Sequence, residues 1–386
     1  MFKQIGIAAV ALASLGVASA SSAELSSQAD ALTADVPIAL LVDLTSGQTL
    51  YSRNADRRFI PASITKVMSA YVAFELIDAG KIRLDQNFTM SAAAGKEWHR
   101  KGSTMFLETG DTVNVDTLLR GITSVSANDA AIVLAEGSLG SVDNWTAKMN
   151  ATARDLKMHD SHFGTPNGWP DGGKTFTTAH DLQLLAAALI ERHPDKYARY
   201  FGKDGFRYKG YAQANHDPIS GKVAGADGIK TGFTNQAGNG FLGSAKRGDT
   251  RLVMVTAAVE SDAVRGVAAR QLITWGFEGF DRKQWFGADT VLGQARVQNG
   301  NRSLVALKAS NPIIVAVPRD AATIPTFTLV YEGPLEAPIA KGETVAELEI
   351  KVAGLPTSRV PLVAANDVAE ANFFQRIANA FQKWSN

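Results

Sequence analysis

The chain has 386 residues, a formal charge of +1 with the charges scattered, and no cysteine. That balance leaves no electrostatic footprint for nucleic acid, and the lack of cysteine excludes thiol catalysis and cysteine-bound metal. A chain of this length can bury a sizeable core without disulfides, and it suggests two domains or one large domain with an appendage.

The N-terminus begins with Met1-Phe2-Lys3-Gln4, followed by an apolar run from Ile5 to Val17. That run is too short to span a bilayer comfortably. Ala18-Ser19-Ala20-Ser21-Ser22-Ala23 then supplies small-residue cleavage chemistry. The expectation is a secretory signal peptide over residues 1–23, cut after Ala20 or Ala23, and a mature protein that works outside the cytoplasm. A first helix of the fold is the alternative.

Pro37 to Leu44 and Gln48 to Tyr51 are apolar runs joined by Thr45-Ser46-Gly47, which predicts a two-stranded hairpin. Pro61-Ala62-Ser63-Ile64-Thr65-Lys66 comes next, and Val67 to Ile77 reads as a buried helix stopped by Gly80. Pro61 suits a first helical turn, and Ser63 lies where free N–H groups and the helix dipole favour developing negative charge. Lys66, three residues on, shares a face with Ser63. A serine needs a base to become a nucleophile, and a lysine whose ammonium is disfavoured can be that base. An ordinary helix start with a surface lysine would look the same.

Leu84 to Leu182 is mostly helical in pattern, broken by a loop at Thr165-Pro166-Asn167-Gly168-Trp169-Pro170-Asp171-Gly172-Gly173. Strands are expected at Gly228–Gly232, Gly240–Ala245 and Leu252–Val259, the last two joined by a turn at Lys246–Asp249. A helix over Asp262–Trp275 closes the unit, giving an α/β (α+β) catalytic domain over residues 30–281. From residue 282 to 364, short β-type runs punctuated by turns predict a small all-β domain, a β-sandwich. In the tail, 367–386, Phe373, Phe374, Ile377, Phe381 and Trp384 fall on one helical face. This amphipathic helix is expected to lie on the inner-membrane surface; packing on its own β-domain is the alternative.

Two further signals join Ser63-x-x-Lys66. Ser126-Ala127-Asn128 stands in a loop before a helical run, and Lys230-Thr231-Gly232 stands on a predicted strand. The ordered set S-x-x-K, S-x-N, K-T-G is that of class A β-lactamases and penicillin-binding proteins. Over Arg58–Met68, Gly225–Thr234, Thr165–Gly168, Thr177–Leu182 and Ala337–Gly342 the chain resembles the D-alanyl-D-alanine carboxypeptidases of peptidase family S11, which are low-molecular-mass penicillin-binding proteins. The likeness runs through essentially the whole mature chain.

The resemblance implies a serine D-Ala-D-Ala carboxypeptidase acting on peptidoglycan stem peptides, with no cofactor or metal and with β-lactams as covalent inhibitors. Ser63 would attack the carbonyl between the D-alanines, Lys66 would take its proton and Ser126 would relay a proton to the leaving nitrogen. Asn128 would hold Lys66 and the substrate amide, and Lys230 and Thr231 would bind the terminal carboxylate. Gly232 would let the substrate backbone approach, and the N–H groups of Ser63 and Phe233 would form the oxyanion hole.

The chain departs from the family pattern in three places: Ala127 where Gly is commoner, Phe233 where His often follows K-T-G, and Asp217-Pro218 in the substrate-side loop beside His216, a candidate carboxylate contact. His159, His162 and His180 lack the spacing of a metal helix and read as structural. Trp98-His99-Arg100-Lys101 reads as a solvated loop or a lining of the cleft. Alternative functions are a D,D-endopeptidase of the same family, a β-lactamase and a catalytically silent wall-binding protein. The Gly- and Pro-rich loop at Asn167-Gly168 lacks the E-x-x-L-N-type segment of a β-lactamase.

Overall fold

The computed structural model describes residues 5–10, 27–319 and 323–372. The chain forms two compact units. One comprises residues 29–44 and 51–277, and the other takes residues 45–50 and those from 278 onward, with the N-terminal segment.

The first unit is built on a five-stranded sheet ordered Gln48–Arg53, Ile38–Asp43, Thr250–Val259, Gly238–Arg247, Ala226–Thr234, of whose first strand only residues 51–53 fall in this unit. Thr250–Val259 pairs antiparallel with Ile38–Asp43 on one side and Gly238–Arg247 on the other. Its run Leu252-Val253-Met254-Val255 is wholly buried because both sheet faces are covered. Alternate residues serve opposite faces. Leu40, Val42, Val253 and Val255 join a helical core containing Val67, Met68, Phe74, Leu118 and Leu185. On the other face Leu41 and Leu252 receive the Asp262–Glu278 helix, where a Cβ on Gly276 would come within 2.6 Å of Leu41.

The helices between the sheet's distant strands include Thr65–Asp78, Val115–Ser124, Asn128–Leu139, Val142–Asp155 and Ala179–Arg192. Thr65–Asp78 is buried from Thr65 through Phe74 on every side, so it is a central helix rather than a surface one. It ends where Gly80 takes φ +66° and Lys81 N–H bonds the carbonyl of Leu76 at 2.9 Å. Several elements differ from the sequence pattern. A short ribbon pairs Asn87–Thr89 with Thr112–Asn114 inside the stretch expected to be helical. Helix continues through Ala179–Arg192 and Pro194–Tyr200, and a hairpin pairs Gly205–Tyr208 with Tyr211–Ala214.

Among the described residues from 280 onward, the second unit is β, from Phe280–Phe286 to Ser358–Ala364. Its core includes Val305, Leu307, Val315, Leu348, Ile350 and Leu362. Ile5–Val10 lies antiparallel beside Thr326–Glu332 as an edge strand of this sheet. Residues 367–371, expected to begin a helix, are extended: Val368 bridges Ile339 and Glu370 bridges Gly300. Val368 and Ala371 are buried there, and that burial outweighs continuation of the helical pattern. Phe373, Phe374, Ile377, Phe381 and Trp384 lie outside the described residues. Among the described residues, no helix is long and apolar enough to cross a membrane.

Candidate active site

Ser63 sits in a 3-10 turn, Ala62–Ile64, that leads directly into the Thr65–Asp78 helix. Ala62 takes φ +48°, a left-handed conformation costly for a residue with a Cβ. The turn is held from two sides. A Cβ on Gly232 would lie 2.4 Å from the Pro61 carbonyl oxygen, and one on Gly168 would lie 1.8 Å from that of Ala62. The bare backbone of the Ala226–Thr234 strand and of the 165–173 loop therefore packs straight onto the serine turn. Gly232 is thus required by the protein's own packing, whatever it also allows a substrate.

Lys66 is 1% exposed, and its Nζ lies 2.9 Å from Ser63 Oγ, 2.7 Å from Asn128 Oδ1 and 2.7 Å from the Asn167 carbonyl oxygen. Burial, then the charge of Lys230, hold its ammonium well below the usual lysine range, while Asp129 opposes them. A neutral amine has two N–H donors and one lone pair. Asn128 and Asn167 occupy the donors, so the lone pair is left for the Ser63 hydroxyl proton.

The Asn128 amide is fixed in turn. Its Nδ2 donates to the Lys101 carbonyl at 3.0 Å, and its backbone N–H donates to that of Ser103 at 2.8 Å. The 98–104 segment therefore frames the site through its main chain and is not simply a solvated loop. Lys101 Nζ lies 4.5 and 5.1 Å from the ring centres of Trp98 and Trp169, clasping this segment to the loop that carries Asn167. Asp129 is fully buried and accepts from the N–H groups of Met105 and Leu107 at 3.0 and 2.9 Å, bracing the same segment; burial raises its pKa.

Ser126 adopts φ +62°, and its Oγ is buried without a hydrogen-bond partner among the described residues. An unpaired buried hydroxyl on a strained backbone is a common mark of a functional position. Ala127 has φ −57°, so the departure from Gly there carries no backbone strain.

Lys230 is 6% exposed and donates to the Thr231 carbonyl at 2.9 Å. Burial, followed by the nearby Arg265 guanidinium, lowers its pKa to about 7, with Asp217 acting in the opposite sense. Arg265, on the Asp262–Glu278 helix, is a residue the sequence reading did not single out. It is 3% exposed; it bonds Asp262 and, at 3.5 Å, the Gly240 carbonyl, and its Nε has no partner among the described residues. Two buried cations side by side, with donor capacity left over, form a receptor for an anion. A buried arginine has no sequence signature, since one arginine among apolar residues at helical spacing looks like any amphipathic helix.

Phe233 continues the Lys230 strand with its side chain 56% exposed, and His216 is exposed on the loop that contains Asp217. His162 Nδ1 lies 2.7 Å from the Lys174 carbonyl oxygen, and His180 Nδ1 lies 2.6 Å from Asp56 Oδ1. Both are structural contacts away from the serine.

Comparison with known proteins places this geometry among relatives. The D-alanyl-D-alanine carboxypeptidase family, peptidase S11, matches residues 23–261, and the C-terminal domain of penicillin-binding protein 5 matches residues 280–370. The chain is 33% identical to the Escherichia coli D-alanyl-D-alanine carboxypeptidase DacC over 353 residues, 90% of this chain and 88% of that protein. It is 30% identical to E. coli DacA over 88% of this chain and 85% of that one. Among solved structures, penicillin-binding protein 5 of Haemophilus influenzae superposes with a TM-score of 0.73 at 29% identity, covering 87% of this chain and 98% of that one. Penicillin-binding protein D2 of Listeria monocytogenes, solved in an ampicillin-bound form, matches with a TM-score of 0.55 at 28% identity, covering 63% of this chain and 98% of that one.

Proposed function

Because this chain belongs to the D-alanyl-D-alanine carboxypeptidase family, peptidase S11, we propose that it removes the terminal D-alanine of peptidoglycan stem pentapeptides through an acyl-enzyme on Ser63. The observation that carries this reading is the Lys66 amine, buried, with its donors spoken for and its lone pair facing the Ser63 hydroxyl at 2.9 Å. Ser63 Oγ attacks the carbonyl between the two D-alanines as Lys66 Nζ takes its proton. The N–H groups of Ser63 and Phe233 take up the oxyanion, each donor contributing about 3 kcal/mol. Ser126 Oγ passes a proton to the departing D-alanine nitrogen, and water then hydrolyses the ester. A β-lactam would enter the same path and leave slowly.

Lys230, Thr231 and Arg265 hold the terminal carboxylate, with His216 at the rim. Arg265→Ala leaves Lys230 as the sole buried cation there, and the expected result is a rise in KM of about tenfold to a hundredfold with a smaller change in kcat. Steady-state release of D-alanine from a pentapeptide measures it, and an unchanged KM would remove Arg265 from the pocket.

Incubation with a pentapeptide and with a cross-linked dimer separates carboxypeptidase from endopeptidase action: free D-alanine from the former alone supports the reading. Rapid turnover of penicillin would favour a β-lactamase instead.

Export and membrane attachment belong to the same proposal. The charged start, apolar run and small-residue stretch before Glu24 support a signal peptide, so the edge strand Ile5–Val10 belongs to the uncleaved chain and the N-terminal sequence of the mature protein should start at Ser21 or Glu24. The aromatic face of Phe373, Phe374, Ile377, Phe381 and Trp384 supports peripheral attachment to the inner membrane. Removing residues 373–386 should shift the protein from the membrane fraction to the soluble periplasm with D-alanine release intact. Unchanged partitioning would end the anchor reading.

A further inference from the structure

The substrate-side loop departs from the family pattern at Asp217, and the structure gives that departure a setting. The Asp217 carboxylate accepts from the N–H groups of Ile219 and Ser220 at 2.8 and 3.0 Å and from Ser220 Oγ at 2.8 Å. Its own N–H donates to Asn215 Oδ1 at 3.1 Å. The next residue locks the loop to the helix bearing Arg265. Arg270 donates to the Pro218 carbonyl at 3.2 Å, and Pro218 lies 3.8 Å from where a Cβ on Gly266 would stand. An anion is thus held rigidly against the element that presents a buried cation to the pocket.

We propose that Asp217 is a specificity-determining residue of this enzyme: a fixed counter-charge that keeps the buried cations Lys230 and Arg265 ready to receive a substrate carboxylate. The inference rests on the reading of those cations as the carboxylate receptor. The charged groups around Lys230 are Arg265 from the helix and Asp217 from the loop, with Asp262 paired to Arg265, and the Lys66 amine faces it from the serine helix. Burial and then Arg265 disfavour the Lys230 ammonium, whereas Asp217 favours it and favours the Arg265 charge as well. Without Asp217, Lys230 would lose its proton at lower pH, and the pocket would lose positive charge already below neutrality.

The test is the rate of Ser63 acylation by benzylpenicillin, which has a free carboxylate, and by its methyl ester, from about pH 6 to about pH 9. In Asp217→Asn the amide oxygen can still accept from Ile219 and Ser220, so the turn persists while the charge goes. The expected result is an alkaline limb moved down by roughly half to one pH unit, making benzylpenicillin about threefold to tenfold slower near pH 8 than in the wild type. The rate near pH 6 falls by no more than about twofold, and the methyl-ester rate stays unchanged. Asp217→Glu should restore the limb, and Ser220→Ala, which removes a hydrogen bond but no charge, should leave it in place. Asp217→Ser, uncharged yet still able to accept within the turn, should repeat the Asn result.

An unmoved limb in folded Asp217→Asn or Asp217→Ser overturns the inference, as does an equal fall for the methyl ester. If the wild type shows no preference for the free acid over the ester, the carboxylate reading of Lys230 and Arg265 fails first.

Discussion

Lys66→Met should lower the rate of acylation by substrate and by penicillin by about three to four orders of magnitude while the protein stays folded. Methionine fills nearly the same volume, so the buried helix keeps its packing, and what is lost is the lone pair facing Ser63 Oγ at 2.9 Å. The substitution also strands the Asn128 amide oxygen and the Asn167 carbonyl, each of which accepts from Lys66 at 2.7 Å. An unsatisfied buried acceptor costs about 1–3 kcal/mol, but removing a desolvated amine returns part of that. The melting temperature should therefore fall by only a few degrees. Stopped-flow acylation beside a thermal melt checks both parts. Near-wild-type acylation would mean that another base serves Ser63, and a collapsed melt would show that the helix needs the amine for stability.

The second large effect is expected at a residue with no chemistry of its own. Gly168 takes φ +74°, and a Cβ there would stand 1.8 Å from the Ala62 carbonyl oxygen and 2.8 Å from Thr65 Oγ1. Both strain and collision oppose Gly168→Ala, and the obstacle includes backbone that cannot rotate away. The loop must retreat, carrying with it the Asn167 carbonyl that fixes Lys66 and the Pro166 carbonyl that accepts from Ser69 Oγ at 2.5 Å. The expected outcome is a loss of at least about 3 kcal/mol of stability together with about a hundredfold or greater fall in acylation. Chemical denaturation and penicillin labelling measure the two. Wild-type values in both would mean that the loop is not pressed against the serine turn.

The parts of the site that sequence made legible share a cause. Ser63 and Lys66 could be paired because helical spacing converts a three-residue interval into a shared face. Ser126, Asn128, Lys230 and Thr231 were legible as an ordered set, although none of those short motifs means much alone. Apart from the Arg265 side chain, what escaped was carried by main chain or by shape. The Asn167 carbonyl is the third neighbour of Lys66, and every residue has a carbonyl. The Ser103 and Lys101 carbonyls that hold Asn128 were hidden in the same way.

Secondary structure was missed for comparable reasons. The paired strands Asn87–Thr89 and Thr112–Asn114 span three residues each, too few for alternation to register. The hairpin ending at Tyr208 and resuming at Tyr211 turns through Lys209 and Gly210, with φ values of +45° and +83°. Such turns favour Asn or Asp at the first of these positions, so lysine masked it. Residues 367–371 continued a helical pattern on paper, yet Val368 and Ala371 bury in the β-domain as extended chain. There, tertiary packing overrides local periodicity.

All of this turns on a serine made nucleophilic by an uncharged lysine amine, and intact mass spectrometry after brief exposure to benzylpenicillin tests that most directly. The expected spectrum shows a single long-lived penicilloyl adduct that maps to the peptide containing Ser63, forms in the wild type and is absent from Ser63→Ala. An adduct on another residue, or equal labelling of Ser63→Ala, would contradict it.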